Sequence, residues 1–324
     1  MIRKILYGGI AAAALGAAAM APAQAGAILD NGVIQIGVND EGHLNTPFAG
    51  DPTGTGFMGL RYKPTGARST EPGCLCEGWG VSNGTISGGA NIAADGGPFG
   101  LVLESFTSTD GFLTNATSVV NVGDIFRVTH FYHPSASANL FEVDVTIQNI
   151  SSASQQALYR RVMDWDIDPT PFSEIVTIVD TSAIVYRTSN NGFASANPLS
   201  DPFGTPGPFT DLGPDDHGAL FDFDFGLLAE GEIQEFTTFY GAAANQTAAL
   251  AALAAVDAEN VYSFGKCDPG LNATCTPNGA PNTFIFAFKG VGGSVVSVPE
   301  PVSLTLLGAG LAGIGALSRR RKAA

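Results

Sequence analysis

In the stretch DWDIDPT, Asp164, Asp166 and Asp168 alternate with Trp165 and Ile167. Side chains two apart on an extended strand share a face, so this spacing predicts three carboxylates side by side. Such carboxylates repel one another unless water or a cation separates them, and an all-oxygen donor set suits a hard ion such as Ca²⁺. The glycine and terminal glutamate of a calcium-binding loop are missing, so the first expectation is a solvent-facing strand edge in an acidic protein, with a Ca²⁺ site as the alternative. A third reading is an acid/base pair for glycoside chemistry, for which retaining enzymes hold carboxyl groups about 5 Å apart. FDFDF repeats the alternation, with Phe221, Phe223 and Phe225 expected inward and Asp222 and Asp224 outward.

Cysteine is the next reactive type, with four copies in the chain. Cys267 and Cys275 flank DPGLNAT, a segment able to turn back on itself, and are the preferred disulfide. Cys74 and Cys76 in EPGCLCEGWG point to one face of an extended segment, but a ring closed over one residue is strained and readily reduced. Cross-pairing of Cys74 and Cys76 with Cys267 and Cys275, or a zinc site from all four, are the alternatives. His130 and His133 in HFYH fall on opposite faces of a strand, so a shared ion would need a bulge there. Trp79, Trp165 and Tyr62 are expected in the core, where strand aromatics usually lie, with stacking platforms for sugars as the alternative. No G-x-S-x-G, Cys/His pairing or phosphate-cradling glycine pattern is present, so nucleophilic and nucleotide chemistries have no signature.

The elements that must carry these residues read as strands. Phe141, Val143, Val145 and Ile147 alternate with Glu142, Asp144, Thr146 and Gln148, the pattern of a half-buried antiparallel strand. GDIFRVTHFYH before it and ALYRRVMDWDID after it extend this to a meander. Further short β-branched or aromatic runs, bounded by Gly, Pro or Asn, bring the total to a dozen or so strands. The expected class is all-β, a large antiparallel β-sandwich, with one short Ala-rich helix in NQTAALAALAAVDA capped by Asn245. The long Pro/Gly-rich segment 190–218 is either functional or a boundary, and a single domain over 26–297 is the simpler expectation.

Both ends read as addresses. Arg3 and Lys4 precede the apolar run ILYGGIAAAALGAAAM, and Ala23 and Ala25 in AQA place a cleavage before Gly26. Residues 1–25 are thus expected to be a signal helix for the Sec translocon and signal peptidase. From Val302 to Ser318 runs an uncharged stretch of about 17 residues, just enough for a transmembrane helix, and Arg319, Arg320, Arg321 and Lys322 follow as a cytoplasmic stop. The two ends hold six of the 15 basic residues and one of the 30 acidic ones, so the interval between them carries a net charge of about −20. That surface repels phosphate backbones, and nucleic acid is not an expected partner.

Val298, Pro299, Glu300 and Pro301, followed by the Leu/Gly/Ala stretch and RRRK, resemble the PEP-CTERM sorting signal of Gram-negative bacteria. The resemblance covers 298–324 and implies an exosortase partner. It also implies transient anchoring in the inner membrane, cleavage near Pro-Glu-Pro, and release to the cell surface or an exopolysaccharide matrix. The strand pattern is also similar to that of galactose-mutarotase-like supersandwich proteins, which implies an architecture and no catalytic residues. The expected function is a non-enzymatic structural or glycan-binding surface component with no cofactor beyond a possible Ca²⁺. The alternatives are a carbohydrate-active enzyme using the DWDID acids and a surface protein that self-assembles through edge strands.

Overall fold

In the computed structural model, the structure describes residues 26–50, 54–91, 97–109 and 114–297. Two antiparallel sheets dominate. The larger has nine strands in the order Phe209–Asp215, Glu174–Asp180, Val261–Cys267, Thr283–Lys289, Ile233–Ala243, Leu140–Asn149, Phe126–Pro134, Ala116–Val122 and Leu101–Ser108. The smaller has five, in the order Val185–Ser189, Gly218–Leu228, Gln155–Asp164, Glu77–Ser82 and Ser87–Ala90. A four-stranded sheet built from Ala27–Asp30, Ile34–Val38, Leu60–Tyr62 and Ala67–Arg68 adds to the same core.

Alternation explains the layering. Phe141, Val143, Val145 and Ile147 are buried while Glu142, Asp144, Thr146 and Gln148 lie on the outer face. Across the sandwich, Phe221 and Phe223 meet Phe288 edge-on at centroid separations of 5.1 and 4.9 Å. Offset and edge-on rings of this kind add to the area they remove from water. The helix Gln246–Ala254 begins as its sequence suggests, with the Asn245 side chain accepting from the Ala248 amide, and its buried Ala249, Ala252 and Leu253 lie against the nine-stranded sheet. Among the described residues no helix is long and apolar enough to cross a membrane, and the expected signal and transmembrane helices lie outside those residues. At the C-terminal limit, Val296 is buried and its amide donates to the Ala258 carbonyl.

The core is not wholly apolar. Arg161, on the inner face of the five-stranded sheet, donates from Nε to Glu77 at 2.6 Å and reaches the hydroxyls of Tyr159 and Tyr132. Arg160, pointing the other way, is equally buried. It pairs with Asp222 at 2.6 Å and donates to the Ser195 carbonyl and to Ser200. The segment after Asn190 is therefore strapped over the outer face of that sheet. Asp222, expected in water, is instead the counter-ion of this buried cation, and Asp224 alone is exposed.

Candidate metal centre

The strand carrying DWDID is shorter than its alternation suggests: it ends at Asp164. Beyond it the chain leaves the five-stranded sheet and crosses to Glu174–Asp180 in the nine-stranded one. Trp165 anchors the crossing, its indole donating to Ser263 Oγ at 3.0 Å. The chain returns at Asp216 and His217, between Phe209–Asp215 in one sheet and Gly218–Leu228 in the other. The two crossings touch where the Trp165 amide donates to the His217 carbonyl at 3.0 Å. A third segment, 68–76, lies alongside, accepting from the amides of Asp164, Asp166 and Asp168 through Cys76, Ser69 and Arg68.

Carboxylates converge at this junction. Oxygens of Asp164, Asp166 and Asp216 lie within 4.8 Å of one another, and Asp164 and Asp166 have no exposed surface. Asp164 Oδ1, both Asp166 oxygens and Glu174 Oε2 are buried without a hydrogen-bond partner. Glycines permit the crowding: a Cβ at Gly73 would fall on the Asp166 carboxylate, and one at Gly192 on Asp164. Burial followed by the charge of Asp166 raises the Asp164 carboxyl well above its ordinary range, and burial followed by the charge of Asp216 raises Asp166. Glu174 is pushed up to about 8, chiefly by burial, with Asp166 adding repulsion. Two full charges no more than 4.8 Å apart would repel by at least about 3.5 kcal/mol at an effective dielectric near 20. The group must therefore hold protons or a cation.

Asp168 does not join them. Past Ile167 the chain turns, and Asp168 accepts from Arg68 Nε at 2.7 Å, a partly exposed ion pair on the far side of the segment. Its place is taken by Asp216, exposed at the mouth of the cluster. His217 is not a ligand: its Nδ1 accepts from the Asn190 amide at 3.1 Å, which leaves the proton on Nε2. All-oxygen donors, one of them facing solvent, fit a hard divalent ion.

The solvent-facing reading of DWDID is overturned by the burial of Asp164 and Asp166. Trp79, Trp165 and Tyr62 are buried as well and form no sugar-stacking platform. His130 is enclosed against Trp79, with its ring centroid 4.5 Å away, whereas His133 meets Asp144 on the outer face. The cysteines pair locally, Cys74 with Cys76 and Cys267 with Cys275, so neither cross-pairing nor a four-cysteine zinc site is formed. Sequence reasoning missed Asp216 and Glu174. The acidic pair before His217-Gly218 was a faint signal for the first, and only the crossing topology brings in the second.

Residues 297–322 match the PEP-CTERM protein-sorting motif. The tail is a PEP-CTERM sorting signal. The match takes in Val298, Pro299, Glu300, Pro301 and the four basic residues from Arg319 to Lys322, all outside the described residues, as are Ala23 and Ala25. Gly26 opens the described chain just before the strand Ala27–Asp30. A PEP-CTERM signal marks an exported protein that is handled by an exosortase and held transiently in the membrane. No curated protein matches the chain, so the galactose-mutarotase-like likeness rests on strand pattern alone.

Proposed function

We propose that this is a non-enzymatic structural component of the Gram-negative cell surface or its surrounding polysaccharide. In this reading residues 1–25 are removed by signal peptidase after Sec export, the domain 26–297 is delivered by exosortase, and Ca²⁺ at Asp164, Asp166 and Asp216 closes one end of its sandwich. One observation carries it: two wholly buried carboxylates sit together with three of their oxygens unpartnered. In an external medium that supplies calcium, such a cluster fills after export and stiffens the fold where its strands cross over. Burial of the tryptophans favours a structural role over sugar stacking.

A carbohydrate-active enzyme is the second reading, favoured by the proximity of two carboxyls whose proton affinity is raised. Against it, the cavity of about 320 Å³ beside Asp168 is lined by Thr65, Pro281 and Asn282 and by neither Asp164 nor Asp166. The deciding experiment incubates the purified protein with host exopolysaccharide in Ca²⁺ or EDTA and scores co-sedimentation and released oligosaccharide, beside a calorimetric calcium titration. Calcium uptake without product supports the structural role. Released oligosaccharide, abolished by Asp164→Asn, replaces it with the enzymatic one.

A further inference from the structure

The Cys74–Cys76 disulfide borders the carboxylate cluster directly. Cys74 Sγ lies 3.3 Å from Asp164 Oδ2, and the two sulfurs and an Asp164 oxygen all fall within 4.8 Å of one another. Asp164 therefore belongs to two donor sets at once, one with Asp166 and Asp216 and one with the cysteines. The bonded sulfurs are poor ligands. Reduced to thiolates, they would be strong ones for a softer ion.

Geometry allows that change. Tetrahedral zinc with bonds of about 2.3 Å to sulfur and about 2.0–2.2 Å to oxygen spaces its donors roughly 3.5–3.8 Å apart. The two sulfurs and an Asp164 oxygen already lie within 4.8 Å of one another, with Cys74 Sγ 3.3 Å from Asp164 Oδ2, and the 5.1 Å between the two Cα atoms leaves room for the sulfurs to part by side-chain rotation. With Cys74, Cys76 and Asp164 as three protein donors, water would fill the fourth position beside the partly exposed Cys74. Access is selective too. Cys74 is partly exposed and its ring spans a single residue, Leu75, whereas Cys267 and Cys275 are both buried and belong to no such set among the described residues.

We infer that Cys74–Cys76 is a redox gate that sets which metal the junction accepts: a hard, calcium-type ion when oxidised, and zinc when reduced. This rests on the reading of Asp164 as a cation ligand. A dithiol supplies the reducing equivalents. Its thiolate attacks the accessible Cys74 sulfur and displaces Cys76 sulfur, and its second thiol then displaces Cys74. Two electrons and two protons pass to the cysteines, and the dithiol leaves as a disulfide. Zinc binding afterwards releases both thiol protons to solvent.

The test uses the purified protein, intact and after limited treatment with a dithiol. Mass mapping of alkylated cysteines should find Cys74 and Cys76 modified while Cys267 and Cys275 stay joined. Titration with zinc alone should show one equivalent bound at least 100-fold more tightly after reduction, and a Cys74→Ser, Cys76→Ser variant should never gain that affinity. Unchanged zinc affinity on reduction, a gain that survives in the double-serine variant, prior opening of Cys267–Cys275, or loss of cooperative melting on reduction each overturns the gate. A parallel calcium titration separates the two ideas. Zinc uptake on reduction without calcium binding in either state defeats the calcium reading and the oxidised half of the gate, leaving only a zinc site made by reduction; calcium binding with no zinc gain overturns the gate and leaves the calcium reading standing.

Discussion

Glu77 and Arg161 face each other inside the sandwich with no exposed surface, 2.6 Å from Oε1 to Nε, and Tyr240 donates its hydroxyl to the same Glu77 oxygen at 2.7 Å. The remaining Glu77 oxygen accepts from the Leu44 amide, so one side chain ties the five-stranded sheet to the nine-stranded sheet and to the N-terminal region. Removing either partner strands a charge in the core. Arg161→Met is expected to cost about 3–5 kcal/mol, read as a lowered urea midpoint. Combined with Glu77→Gln it should cost much less than the two separate losses together, because both report one network.

Calcium should raise the melting temperature. At a hundredfold excess over its dissociation constant the gain is about 2.7 kcal/mol, roughly 5–10 °C for a domain of this size. Asp166→Asn should abolish that response and, in EDTA at neutral pH, melt higher than the parent because one buried charge is gone. A calcium response that persists in Asp166→Asn would remove this residue from the site.

The metal-free protein should lose stability as pH rises. Burial lifts Glu174 to about 8 and Glu71 to about 7, and lifts Asp164, Asp166 and Asp216 in the same direction, so the folded chain holds protons that the unfolded chain has released. Stability from these groups is present below the ordinary carboxyl range near 4 and drains away as pH climbs through about 7 to 8. Melting curves in EDTA from pH 5 to 8.5 should show the decline, and saturating Ca²⁺ should flatten it.

Gly192→Ala tests the packing of the site. Its added Cβ would lie 2.5 Å from Asp164 Cα. The change is expected to cost about 1–3 kcal/mol through overpacking and to weaken calcium binding in isothermal titration, whereas alanine at Gly84, whose added Cβ would meet nothing within 4 Å, should leave binding intact.

The strand alternation from Phe141 to Ile147, the Asn245 cap and the pairing of Cys267 with Cys275 were all legible, because each depends on residues close in sequence. The carboxylate cluster was half legible. Asp164 and Asp166 stand out by spacing, but local periodicity carries Asp168 along with them and has no means of knowing that the strand stops at Asp164. Asp216 lies fifty-two positions beyond Asp164 and reaches it only because two crossings between the sheets share one end of the sandwich. The buried Arg160–Asp222 pair escaped for a similar reason: alternation assigns a face, but not the later segment that covers it.

Val296 is stitched to Ala258, and the sorting motif starts at the very next residue. The folded body and the membrane address thus have almost no slack between them. An enzyme that reads this motif therefore meets, in sequence, a folded body that ends one residue before it.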